Sequence, residues 1–364
     1  MELPPDFRSA VPEGKKSFTV DWRTPEGMDI VGQLVAKSDA VVENNATETL
    51  EKLGVTYDWL RKWRDDIIMV RMAAYGSSGP YAQARALGVH LESVMGHTLL
   101  RGAPRPGTDR EFAHLLRGLH CRAQASLAVM MAAWHREMTG EGELIEMSQA
   151  ENASAMLSQS FMDYALNGRV MQRQGNRSLY GFAPHGVFPC AGGDPADAMD
   201  RWITIAVSND AEWQGLCAAI GRDDWAGDPE LATNEGRQAR QDELEAGISA
   251  WTCAQDDYTC FHHLQAHGVP AAPVLEGSRA FDDAHTQARG LYQPQTLFDD
   301  VGTFSLPQPF HRMPETPITT RQPPVALGEH NRYVYREVLG LSEAEYARLE
   351  AEGHITNDFD ASIA

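Results

Sequence analysis

The period of the apolar positions changes several times along this chain, and each change marks a predicted element. Lys16 to Trp22 is a short β-rich run. Thr24-Pro25-Glu26 supplies an N-cap residue, a first-turn proline and an acid, so a helix is predicted through Ile30, Leu34 and Val35. Ala40 to Glu43 reads as a short apolar strand, and Thr47 to Leu53 as a helix closed by Gly54. A short helix carrying Trp59 and Trp63 follows. Ile67 to Met72 is apolar without alternation, the pattern of a strand covered on both faces. The succession is β-α-β-α-β with short links, which predicts a parallel sheet flanked by helices. Such sheets take ligands beyond the carboxyl ends of their strands. The segments Glu43-Asn44-Asn45 and Tyr75-Gly76-Ser77-Ser78-Gly79-Pro80 are therefore the loops to watch.

Further along, Arg110 to Met138 is a long helical stretch read as two helices. Gly140-Glu141-Gly142 is a turn, Glu143 to Met147 a strand, and Gln149 to Leu166 a helix with Ala150, Ala153, Met156, Leu157 and Phe161 on its apolar side. From Asn176 to Asp200 the texture becomes rich in Gly, Pro and Asp, as at a crossing between domains. Arg201 to Val207 is a strand, and helices follow near 211–220, 238–252 and 258–267, a second and smaller α+β unit. Residues 290–330 are Pro-rich and extended. Ser342 to Glu352 is a closing helix whose Ser342 and Glu345 match a capping box.

Composition narrows the function classes. The chain has 364 residues, 43% of them hydrophobic, enough for one large or two ordinary cores. No run of apolar residues is long enough to span a bilayer, and the start of the chain lacks the apolar core of a secretory signal. Five scattered cysteines with no CxxC pair argue against a disulfide framework or a structural zinc, and for a reducing cytoplasm. A net charge of −20 disfavours nucleic acid and anionic membranes, but a pocket can still be locally positive for a small anion. All the lysines lie between Lys15 and Lys62, a skew that suits either genome composition or a phosphate-binding edge.

Five stretches, in order, carry a resemblance. They are KKSFTVDWRTPEG from Lys15, SDAVVENNATETLEKLGVTYDWL from Ser38, MAAYGSSGPY from Met72, TGEGELIEMSQAE from Thr139, and PPVALGEHNRYVYREVLGLSEAEYARLEAEGHI from Pro323. Together they resemble the family III CoA-transferases, the CaiB/BaiF group that includes formyl-CoA transferase, carnitine CoA-transferase and α-methylacyl-CoA racemase. The resemblance implies an α/β fold, with a Rossmann-like parallel-sheet large domain, a smaller α+β domain and an interlocked dimer. On that basis residues 1–185 begin the large domain, 186–290 form the small one, and 291–364 return to the large one.

The resemblance implies CoA transfer between carboxylic acids, with a CoA thioester as substrate and no tightly bound cofactor or metal. Its nucleophilic carboxylate, an Asp in the family, falls on Glu151. This residue stands at the start of a predicted helix, where the backbone amides favour a charged carboxylate; an ordinary first-turn acid would sit there too. For CoA the resemblance points to Lys16, Asn44, Asn45 and Lys52; Tyr75 and Gly76 join them because the glycines of their loop permit close backbone approach to a ligand. The aromatic that follows the first Asn of the family's loop is replaced by Asn45, and the nearby Arg by Ala46. Only fourteen residues precede Lys15, which leads us to expect that an opening βα unit is supplied by a small companion subunit or that the adenine site is reduced. Three readings remain: an active transferase, a non-catalytic or complementing subunit, and a racemase or isomerase of the same fold. For the third, the acid–base pair falls near Leu87 and Arg117, which cannot move a proton, although His90, His97, His114 and His120 lie close by. The segment Tyr180 to Gly186 replaces a run of glycines, which suggests a bulkier or apolar acyl group.

Overall fold

The computed structural model describes residues 14–100, 102, 116–194, 199–296, 302–309, 311–318 and 325–358. The chain divides into two compact units. The first comprises residues 1–98, 112–165 and 288–364, and the second residues 99–111 and 166–287.

The first unit opens with α1 (Pro25–Val35), started by the Thr24 hydroxyl accepting the Gly27 amide. Strand β1 (Ala40–Glu43), helices α2 (Thr47–Lys52) and α3 (Tyr57–Trp63), and β2 (Ile68–Arg71) follow. Then come α4 (Gly88–Val94), α5 (His97–Leu100), which straddles the division between units, and α6 (Leu116–Thr139). Strand β3 (Leu144–Glu146), α7 (Gln149–Ser154) and α8 (Ser158–Asn167) complete this stretch. Strands β1, β2 and β3 form one parallel sheet in that order, with Glu43, Arg71 and Glu146 in register at its carboxyl edge. The apolar run of β2 is explained by burial on both faces. Met69 packs with Val35, Leu50 and Leu60 on one side, and Ile68 and Val70 with Ala125 and Ala132 of α6 on the other.

Three expectations about this unit need correction. Lys16 to Trp22 is not a strand. Its polar groups are taken by the far end of the chain: Thr19 N donates to Asn331 Oδ1 (2.8 Å), Gly328 N to Ser17 Oγ (3.0 Å), and Tyr335 Oη to the Thr19 carbonyl (2.8 Å). The helix expected from Gln149 to Leu166 breaks after Ser154 into a 3₁₀ turn, Ala155–Leu157, before α8. The Ser154 hydroxyl donates to the Glu151 carbonyl (2.5 Å), a local bond that competes with the helical ladder. Where two helices were expected there is one, α6; residues 110–115 of that expectation lie outside the described set.

In the second unit, β4 (His185–Asp194) and β5 (Met199–Ala206) are antiparallel. Helices α9 (Asp210–Ile220), α10 (Asp223–Ala226), α11 (Asn234–Ala239), α12 (Gln241–Thr252) and α13 (Asp257–Ala266) lead to β6 (Ala271–Val274), which pairs antiparallel with β5. Strand β4 occupies the Gly- and Pro-rich stretch expected to be a crossing. Pro189 and Gly192 are tolerated because β4 is an edge strand whose register shifts between Pro189 and Gly193. Helices α14 (Gly277–Asp282) and α15 (Ala284–Ala288) close this part of the chain.

The C-terminal stretch holds the hairpin β7 (Tyr292–Thr296) and β8 (Thr303–Pro307). A π-helical turn, Tyr333–Val338, precedes α16 (Glu343–Ala351). The capping box is present, with Ser342 Oγ accepting the Glu345 amide and Glu345 Oε2 accepting the Ser342 amide. Val334, Tyr335, Leu349 and Ile355 pack with Ile30, so this segment shares its core with α1.

Candidate active site

The site grows from the carboxyl edge of the parallel sheet. Because Glu43, Arg71 and Glu146 end their strands side by side, the loops leaving them share one edge. The first loop is anchored by Glu43, which is buried. One carboxylate oxygen accepts Arg71 Nε (3.0 Å) and the other accepts the Asn45 amide (2.8 Å). Arg71 also donates to the Thr47 carbonyl (2.9 Å) and to Glu51 (3.3 Å). Burial of the guanidinium opposes its charge, but the hydrogen bonds to Glu43 and Glu51 prevail and its pKa is raised. The result is a fixed platform for Asn44 and Asn45, both exposed.

The second loop follows β2. Gln149 N donates to the Ala73 carbonyl and Ala150 N to the Ala74 carbonyl, each at 3.0 Å, so the chain beyond β2 stays beside the head of α7. Gly76 has φ +87, and a Cβ there would stand 3.0 Å from Glu146 Oε1 and 3.5 Å from Ser148 Cβ. This is the close approach for which the sequence needs glycine. Tyr75 packs its ring against Tyr81 at 5.8 Å.

Glu151 lies in the first turn of α7, after the cap Ser148, whose Oγ accepts the Glu151 amide (3.2 Å). Its side chain is exposed, while Ala150 and Ala153 on the same helix are buried. Helix α4 packs on α7 from another side. Thus Tyr75, Gly76 and Glu151 are brought together, and Asn44 and Asn45 share their sheet edge.

Lys52 and Lys16 stand apart from these. Lys52 Nζ pairs with Glu48 one turn back (2.7 Å), and that bond holds the Glu48 carboxyl below its usual range. Lys16 places its ammonium over the Tyr333 ring at 4.2 Å. Glu146 was not singled out from the sequence, although it stands inside the quoted Thr139–Glu151 stretch; only its contact with the distant Gly76–Ser77 turn reveals a role.

Of the residues considered for proton transfer, Leu87 is exposed at the start of α4 and Arg117 lies in α6. His90 Nδ1 accepts the Leu87 amide (3.0 Å), and His97 faces buried Glu92 at 3.5 Å. His114, and the side chain of His120, lie outside the described residues.

Among the described residues, Glu26, Glu352 and His354 bring one ligand atom each within 4.8 Å of one another. Arg348 already bridges both carboxylates, so their charge is compensated without an ion. No helix among the described residues is long and apolar enough to cross a membrane.

The exterior of α6 is unusual. Leu127, Met130, Met131, Trp134 and Met138 recur at helical spacing and are all exposed, Trp134 at 71%, while the face toward the sheet carries Cys121, Ala125 and Ala132.

Comparison with known proteins places these features in context. A model of CoA-transferase family III matches residues 6–331. The chain is 30% identical, over 93% of its length and 82% of the relative's, to succinyl-CoA–D-citramalate CoA-transferase of Chloroflexus aurantiacus. It is 27% identical, over 93% of its length and 82% of the relative's, to the succinyl-CoA–L-malate CoA-transferase beta subunit of the same organism. Among solved structures, a CaiB/BaiF family protein from Brucella suis superposes with a TM-score of 0.77 at 26% identity, covering 91% of this chain and 83% of that one.

Proposed function

The chain belongs to CoA-transferase family III and is a CoA-transferase, and we propose that it moves CoA between carboxylic acids through covalent intermediates on Glu151. The Glu151 carboxylate attacks the acyl carbonyl of a CoA thioester and expels the CoA thiolate, leaving a mixed anhydride. The thiolate attacks the Glu151 carbonyl, releasing the donor acid and forming an enzyme–CoA thioester. The acceptor carboxylate attacks that thioester, and the thiolate, freed again, takes the new acyl group and restores Glu151.

The observation that carries this reading is an exposed Glu151 in the first turn of α7, beside a glycine turn at the carboxyl edge of a parallel sheet. Asn44 and Asn45, with Tyr75 and Gly76, hold the CoA chain along that edge. Lys52 turns from Glu48 to a CoA phosphate. Both partners of that ion pair are exposed and screened by water, so the exchange costs little. Lys16, exposed above Tyr333, supplies a second ammonium. CoA acts as substrate rather than resident cofactor. The free cysteines suit the cytoplasm.

The apolar exterior of α6 supports burial against a second copy of the chain. A complementing subunit is the second reading, favoured by the relative named as a beta subunit.

Glu151→Gln is the test. Transfer from acyl-CoA to an acceptor acid is expected to fall by about a thousandfold or more, with the fold intact by circular dichroism. Retention of turnover within about threefold of the parent would refute the role of Glu151.

A further inference from the structure

A second carboxylate stands just ahead of the helix that carries Glu151, and the proposed reaction leaves it without a task. Glu146 ends β3, exposed, and is followed by Met147 and the buried cap Ser148. Its Oε1 accepts the Ser77 amide at 2.5 Å, across a sequence separation of 69. The start of the turn is held by the α7 amides on the Ala73 and Ala74 carbonyls and by Gly76 N donating to the Ala73 carbonyl (3.5 Å); past Gly76 its tie to the sheet edge is the Ser77–Glu146 bond. Gly76 takes φ +87 with no side chain, and Gly79 takes φ +84. The Ser77 hydroxyl is shut from solvent and meets no hydrogen-bond partner among the described residues. A buried unpaired hydroxyl makes the closed turn uneasy by itself. The bond from Ser77 N to Glu146 therefore decides where the turn lies.

We infer that Glu146 is a positioning residue, whose carboxylate latches the Tyr75–Gly79 turn onto the head of α7 and shelters an acyl group on Glu151 from water. The inference rests on the proposed role of Glu151. An anhydride on an exposed side chain borders solvent, and the 75–79 turn and α4 both abut α7. If the turn swings out, water adds to the acyl carbonyl, Glu151 leaves as its carboxylate, and the acyl group departs as the free acid. The thiolate already released then leaves as free CoA, so transfer becomes hydrolysis. What matters is the reach of the latch rather than its charge. Glutamine at this position keeps the reach and an accepting oxygen; aspartate keeps the charge and loses the reach.

The full chain is assayed with acetyl-, propionyl-, butyryl- and succinyl-CoA plus an acceptor acid, and the ratio of hydrolysis to transfer is measured for the parent, Glu146→Ala, Glu146→Asp and Glu146→Gln. The ratio is expected to rise about fivefold or more in the Ala and Asp variants and to stay within about twofold in the Gln variant. The reverse order, with Gln resembling Ala and Asp resembling the parent, overturns the inference, as does an unchanged ratio throughout. Amide hydrogen exchange of the peptide spanning 74–81 reads the latch without turnover. It is expected to quicken about tenfold in the Asp variant and not in the Gln variant; equal exchange in all variants overturns the inference. Glu151→Gln in the same assay separates the two ideas. If it transfers normally, the role of Glu151 fails; if it is inactive while the Glu146 variants keep the parent ratio and exchange, only the latch fails.

Discussion

The second unit and helix α6 of the first dispose their apolar residues in opposite ways. In the second unit, large side chains lie inside. Trp213 and Trp225 stack at 6.0 Å, both buried, among Ile203, Leu216, Leu244 and Leu264. Even its buried guanidinium is answered, since Arg237 donates to the Ala183 and Leu231 carbonyls and pairs with Asp210. In the first unit, α6 turns alanines and Cys121 inward and keeps Met130, Met131, Trp134 and Met138 outside. The first unit thus presents an exposed apolar helix face, and it is the unit that holds Glu151. Stability and assembly should therefore respond to different substitutions.

The largest expected effect is in the self-contained core. Trp213→Ala should cost about 3–5 kcal/mol in denaturant unfolding, because it empties a close-packed site. A cost below about 1 kcal/mol would show that this unit is loosely packed after all. The outward face predicts a different response. Trp134→Ser with Met138→Ser should change the stability of the dissociated chain by about 0.5 kcal/mol or less, yet weaken self-association by roughly tenfold or more in sedimentation. Unaltered association would mean that this face is not an interface. A local feature should give the smallest effect. Ser342→Ala removes the cap of α16 and should cost about 1 kcal/mol, seen as a lower melting temperature.

Much of this architecture was legible because its causes are local. Thr24 and Ser342 announce their helices through hydrogen bonds made within three residues. The unbroken apolar run around β2 reflects cores on both its faces. What escaped was set at long range. Lys16 to Trp22 has strand propensity, but its partners are Gly328, Asn331 and Tyr335, more than three hundred residues away. Pro189 and Gly192 read as a linker because their tolerance depends on an edge position that only the assembled sheet defines. In the candidate site, Glu151 and the Gly76 turn could be named from the resemblance. Glu146 could not, since its meaning lies in a bond to Ser77 across 69 residues. The expected loop around Asn44 and Asn45 is present, but it is held by Glu43 paired with Arg71 across 28 residues, a contact that only the assembled sheet defines.

The central claim is that Glu151 itself becomes acylated. The chain is incubated with acyl-CoA and hydroxylamine without acceptor, digested, and the peptide containing residues 149–154 is weighed and fragmented. The account predicts a hydroxamate on the Glu151 side chain, dependent on acyl-CoA and absent from Glu151→Gln. An unmodified Glu151 during active turnover, or the modification on another residue, would contradict it.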